Sequence, residues 1–201
     1  MKTLKTTLFT AAVALSLQAC HSNKDSKATA DSANKANDTS KMAPTDTSKN
    51  SSMTMTVGKD DADFAVNAAN GGMAEVMLGK LAQDKATSPK LKEFAAMMVK
   101  DHSAAGDELM ILAKSKNITL PAVVSTDKQK AFDDLNKKTG ADFDKAYVKD
   151  MVAGHKSTVK LFEDAETSVK DPDLKAFIIK TLPTIKMHLG VISKIDSTMN
   201  K

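Results

Sequence analysis

The chain has no arginine and no tryptophan, and only one tyrosine and one cysteine. All its positive side chains are therefore lysines. Arginine is the side chain that reads phosphates and base edges bidentately. Its absence, with few aromatics and no basic cluster, weighs against nucleic-acid binding. A lone cysteine forms no internal disulfide, so none staples the fold. No segment shows a convincing two-residue strand alternation. What the chain does have is lysine, alanine, aspartate and repeated helical patterning over most of its length.

The N-terminus reads as a targeting signal. Lys2 and Lys5 form a basic head, and Leu8 to Leu17 is an apolar run too short to span a bilayer. The run ends in Leu17-Gln18-Ala19-Cys20, which resembles a bacterial lipoprotein cleavage box. Residues 1–19 are thus expected to be removed, leaving Cys20 as a lipidated first residue and the membrane as a partner through that lipid. An ordinary secretory signal with a chance cysteine is the alternative. The formal charge is +4, and loss of Lys2 and Lys5 leaves about +2. After Cys20, residues up to 57 are mostly Ser, Lys, Asp, Asn, Thr and Ala. They offer too little apolar surface to offset ordering entropy, so 20–57 is expected to be a disordered tether. Residues 58–201 have the size of one domain.

That domain reads as all-α, with four long helices and one short one. Asp60 or Asp61 starts the first, which runs to about Ala86 with Phe64, Ala68, Gly71, Leu78 and Ala82 inward. Gly71-Gly72 weakens it locally or lets a neighbour approach closely. Ser88-Pro89 starts the second, which ends near Lys116 before Asn117 and Pro121. A short helix is expected over Lys128–Lys137, with Gly140 breaking it. The third long helix covers about Asp142–Val169, and Asp171-Pro172 opens the last, which reaches about Ser197. Pro183 lies inside it and is expected to kink it. Short links make antiparallel hairpins of the first and last helix pairs, so the expected architecture is a four-helix bundle.

Each long helix has one break in its apolar stripe. Glu75 stands between Gly71 and Leu78, His102 between Met98 and Ala105, His155 between Met151 and Thr158, and His188 between Ile185 and Ile192. All four lie near mid-helix, and in an antiparallel bundle the middles share one level. The repeated segments Met-Val-Lys-Asp-His (98–102) and Met-Val-Ala-Gly-His (151–155) would then place equivalent histidines on facing helices. Three imidazoles and a carboxylate form a first shell for one transition-metal ion, whether zinc, iron, manganese or copper. The competing reading is a closed hydrogen-bonded network without metal. Two-metal bundles use Glu three residues before His, but Val99, Val152 and Ile185 occupy those places here. Met98, Met151 and Met187 are either thioether ligands for Cu(I) or core fillers. Asp101 and Asp150 are either acceptors for imidazole N–H groups or ordinary surface charges.

Three segments, "FAVNAANGGMAEVMLGKLAQDKA", "LKEFAAMMVKDHSAAGDEL" and "YVKDMVAGHKSTVKLFEDA", resemble the bacterial family called domain of unknown function 4142. The resemblance covers about residues 58–197. It implies a ferritin-like four-helix bundle in an exported or envelope protein, with recurring Glu and His positions matching Glu75, His102, His155 and His188. It implies no activity.

Three functions compete. One is a lipid-anchored bundle of the bacterial cell envelope that binds one metal ion, for sequestration or stress protection. Another is a metal-free structural or interaction module with a polar core. An oxidoreductase is the weakest, because no nucleophile arrangement, phosphate loop or cofactor motif accompanies the layer.

Overall fold

The structure, a computed structural model, describes residues 25–37 and 57–199. The signal, Cys20 and most of the tether lie outside the described residues. Among the described residues there are six helices and no strand: α1 (Ser26–Asn37), α2 (Lys59–Lys85), α3 (Pro89–Ser115), α4 (Thr126–Asn136), α5 (Gly140–Ser168) and α6 (Pro172–Met199). None of them is long and apolar enough to cross a membrane. The fold is all-α, and α2, α3, α5 and α6 form the four-helix bundle.

Hydrogen bonds at the two ends fix the direction of each helix. At one end the α2–α3 link meets the start of α5. Thr87 N and Ser88 N donate to Asp144 Oδ1 and Oδ2 at 3.0 and 3.1 Å, and Thr87 Oγ1 donates to Oδ2 at 2.5 Å. At the other end the start of α2 meets the α5–α6 link, where Lys170 N donates to Asp61 Oδ1 at 2.7 Å. The end of α3 arrives there too, with buried Lys116 Nζ 2.7 Å from both Asp171 Oδ2 and Asp173 Oδ2. Asp171 Oδ1 also accepts the N–H groups of Asp173 and Leu174, which opens α6. The order is therefore up, down, down, up. Residues 116–139 carry the chain from one end to the other, with α4 lying along α2 and α5. Each long helix is antiparallel to both neighbours, the one-crossover arrangement of ferritin-like bundles.

Local signals account for most boundaries. Asn117 takes the left-handed conformation at φ 60° and ends α3. Gly140 at φ 57° separates α4 from the body of α5. Pro89 and Pro172 sit at first helical positions, where the missing N–H has no intrahelical role. α6 runs unbroken through Pro183.

Two expectations need correction. Part of the expected tether is ordered, since residues 26–37 form α1, packed on α2 and stitched to the crossover. Asn34 pairs with the backbone of Thr119, donating at 2.9 Å and accepting at 2.7 Å. Asp25 Oδ1 caps α1, while Oδ2 binds the N and Oγ1 of Thr126, each at 2.7 Å. A segment too polar to form a core of its own is held by hydrogen bonds to residues far along the chain. Nor do Gly71 and Gly72 make a close helix contact, because a Cβ at either meets nothing within 4 Å. The close approach is at Gly79, where a Cβ would lie 2.9 Å from Val99 Cγ2 and 3.2 Å from the carbonyl oxygen of Ala95.

The apolar core falls into two clusters, one at each end of the bundle. One contains Phe64, Leu109, Phe162, Phe177 and Ile185. The other contains Leu78, Phe94, Met98, Tyr147, Met151 and Ile192. The polar layer lies between them. Gly79→Ala is expected to lower stability by about 1–3 kcal/mol through overpacking. Gly72→Ala is expected to raise it by about 0.5–1 kcal/mol. Thermal melts of the two variants check both signs.

Candidate metal centre

The bundle brings Glu75, His102, His155 and His188 to one level. All four are buried, His155 and His188 completely. The imidazole centroids lie 5.2 Å apart for His102–His188 and 5.8 Å for the other two pairs. One nitrogen from each ring lies within 4.8 Å of the others. Phe94 closes one side, 6.2 Å from the His155 ring and 6.4 Å from that of His188.

Each ring is oriented through one of its nitrogens. His102 Nδ1 lies 3.1 Å from Glu75 Oε2. His155 Nδ1 lies 2.9 Å from the carbonyl oxygen of Met151, so this nitrogen must be the donor. His188 Nε2 lies 3.0 Å from Asp101 Oδ2. With those nitrogens engaged, His102 Nε2, His155 Nε2 and His188 Nδ1 remain. Fixing the far nitrogen on an oxygen sets the tautomer and turns the other lone pair to a metal. His102 Nε2 and His188 Nδ1 are 3.3 Å apart. Two nitrogens about 2.0 Å from one tetrahedral ion are separated by about this distance.

Glu75 stands behind the rings rather than among their free nitrogens. Its Oε1 accepts from Thr158 Oγ1 at 3.4 Å and lies 3.7 Å from His155 Nδ1. Its Oε2 is near His102 Nδ1 but not aligned with it, and has no hydrogen-bond partner. Although the distance is that of an ion pair, the His102 imidazole is neutral. Burial pushes Glu75 up to about 7, against smaller opposing effects of Lys128 and Thr158. Burial, then the His188 and His155 charges, pushes His102 down to about 3. Burial likewise lowers His155 to about 4, against the Met151 carbonyl. The His102 and His155 imidazoles are thus poised as neutral ligands.

The test of fit is an orphaned atom. His155 Nε2 is buried and has no hydrogen-bond partner among the described residues. A buried imidazole nitrogen left bare costs about 1–3 kcal/mol, and a ligated ion removes that penalty. The Tyr147 hydroxyl, also buried and unpartnered, lies on the same helix. Burial and the Glu75 charge raise its pKa, so it stays protonated.

Other sequence candidates divide. Asp101 touches the layer, but it serves the histidine of α6, not its own neighbour. Asp150 is exposed and makes no hydrogen bond to a layer ring. Met98 and Met151 are core residues, and Met187 points outward at 46% exposure. The two Met-Val repeats differ just before the histidine, with Asp101 in one and Gly154 in the other. Lys128 was missed, because its nearness to Glu75 depends on the path of the crossover.

The sequence matches the family model "Domain of unknown function (DUF4142)" over residues 43–195. The chain belongs to the DUF4142 family. Its fold is shared by two solved structures, each 14% identical in sequence. "CopM in the Cu(II)-bound form" has a TM-score of 0.60, covering 69% of this chain and 97% of that one. "CopM in the Cu(I)-bound form" has a TM-score of 0.58, covering 71% and 98%. No curated protein sequence matches the chain.

The raised Glu75 pKa gives a signed prediction. The carboxyl titrates at about 7 when folded, against 4.5 for the unperturbed group. Only the folded chain holds that proton between these values, so its contribution to stability is lost as pH rises from about 4.5 to 7. Glu75→Gln removes the titration. Its stability relative to the parent is expected to rise between pH 5 and 8, by on the order of 1–3 kcal/mol. Urea unfolding across that range reads the difference.

Proposed function

We propose that this protein binds a single transition-metal ion, with copper favoured, through His102, His155 and His188. The observation that carries the reading is the buried, unpartnered Nε2 of His155 beside two other oriented imidazoles. Glu75, the Met151 carbonyl and Asp101 would hold the rings in place. Copper is favoured because neutral imidazoles suit it and because solved neighbours of this fold are titled as copper-bound forms. Two of the three rings are completely buried at mid-bundle, which fits sequestration better than turnover. The lipoprotein-like signal ending at Cys20 supports a lipid-anchored place in the bacterial cell envelope.

The metal-free reading rests on a specific chain of contacts. A protonated Glu75 whose Oε2 swung into line to donate to His102 Nδ1 would let His102 Nε2–H reach His188 Nδ1, with His188 Nε2–H on Asp101. That relay satisfies every layer group except His155 Nε2, the atom the metal reading explains.

Elemental mass spectrometry of the mature chain, made without a histidine tag and loaded with Cu, is expected to find one equivalent. His155→Phe is expected to lose the metal while the apo protein melts no lower than the parent. Asp101→Asn is expected to weaken binding about 10–100-fold. Absence of retained metal in the parent, or His155→Phe unfolding with metal binding intact, would favour the polar-core reading. For the anchor, radiolabelled palmitate is expected to enter the expressed full-length chain and to be lost in Cys20→Ala.

A further inference from the structure

A cavity of about 680 Å³ opens between α2, α3 and the crossover segment 120–122, and it reaches the metal layer at Glu75 and His102. Three methionines line it: Met73 and Met77, one turn apart on α2, and Met110 across from them on α3. Met110 is 57% exposed, and Met73 and Met77 are half-buried. Glu75, 5% exposed with an unpartnered Oε2, lies at the inner end. Among the described residues, the charged ones in the wall apart from Glu75 are Lys80 and Asp107, one of each sign. The rest is largely apolar or small.

This combination has a chemical meaning. Hard cations need oxygen ligands to replace their water, and the wall provides few. Soft Cu(I) takes thioether sulfur readily. Thioethers are neutral and flexible, so they tolerate a half-buried wall and can adjust around an ion. A second cavity, about 560 Å³, reaches Glu75 from the side of α4 and α5. It contains no methionine other than Met151, and it has Lys27, Asp127, Lys128 and Asp150 in its wall. The two approaches to the layer therefore differ in ligand chemistry.

We infer that the methionine-lined cavity is the entry route for Cu(I), with Met110, Met73 and Met77 as transient ligands that pass the ion inward to His102. This rests on the reading of the three-histidine layer as the metal's resting place. The ion exchanges thioether for imidazole ligands at constant oxidation state, so no electron acceptor or donor is needed. The thioethers set the rate of loading, and the imidazoles set its equilibrium.

The test uses the mature chain and Cu(I) supplied as its coloured bicinchoninate complex. Stopped-flow absorbance follows capture, and the end point gives the amount bound. Met→Leu keeps side-chain volume while removing sulfur. The triple variant Met73→Leu/Met77→Leu/Met110→Leu is expected to load at least about tenfold more slowly, and to the same one equivalent. Met187→Leu, outside the cavity, is expected to load at the parental rate, and Zn(II) loading is expected to be unaffected by the triple change. Parental Cu(I) rates in the triple variant would overturn the entry route while leaving the histidine site standing. Failure of the parent to take up Cu(I) at all would overturn both. Should the triple variant fold poorly, Met110→Leu alone, at an exposed position, carries the same test with a smaller slowing.

Discussion

Burying an imidazole without a partner for its N–H is expensive, and this bundle buries three at one level. For His102 and His155 neutrality comes from the surrounding core, which pushes them down to about 3 and about 4. Orientation comes from three oxygens on three different helices: Glu75 on α2, Asp101 on α3 and the Met151 carbonyl on α5. The rest of the fold follows from keeping those groups level. The end locks at Asp144 and at Asp61–Lys116–Asp171 hold helix register. Gly79 lets α2 and α3 lie close enough for Glu75 to reach His102.

Three buried imidazoles at one level, one of them with a bare Nε2 among the described residues, are an unfavourable arrangement for a purely structural device. A closed relay from Glu75 to Asp101 quiets two of them but not the third. The asymmetry between His155 and the other two rings lies in their partners, since His102 faces the Glu75 carboxyl and His188 the Asp101 carboxylate, whereas His155 meets a backbone carbonyl. The His155 ring turns its Nδ1 onto its own helix, and among the described residues its Nε2 is bare.

The layer was legible in the sequence because a helical stripe has a strict period, and an ionisable residue at a core position breaks it visibly. Glu75, His102, His155 and His188 could be placed at one level by counting from the helix ends. The hairpins and crossover followed from Pro89, Pro172 and the length of 117–141. What depends on contacts far along the chain was not legible. α1 has no apolar stripe, and its anchors Asn34–Thr119 and Asp25–Thr126 join segments about a hundred residues apart. Gly79 and the Gly71-Gly72 pair look alike in sequence, and only the line of contact between α2 and α3 distinguishes them. The sequence also shows that Glu75 faces inward, but not that it meets the Nδ1 side of the rings.

Placing the layer at mid-bundle also determines which electric field it feels. The four long helices have 27 to 29 residues, about 40 Å each. Their terminal half-charges therefore lie about 20 Å from the rings. At that distance one half-charge contributes roughly 0.4 kcal/mol per unit charge at an effective dielectric of about 20. Adjacent helices run in opposite directions, so these contributions alternate in sign and largely cancel. Sites built on helix termini borrow their potential from the backbone, whereas this one has almost none to borrow. The potential in its centre is set by Glu75 and Asp101, and changes at the bundle's ends leave it untouched.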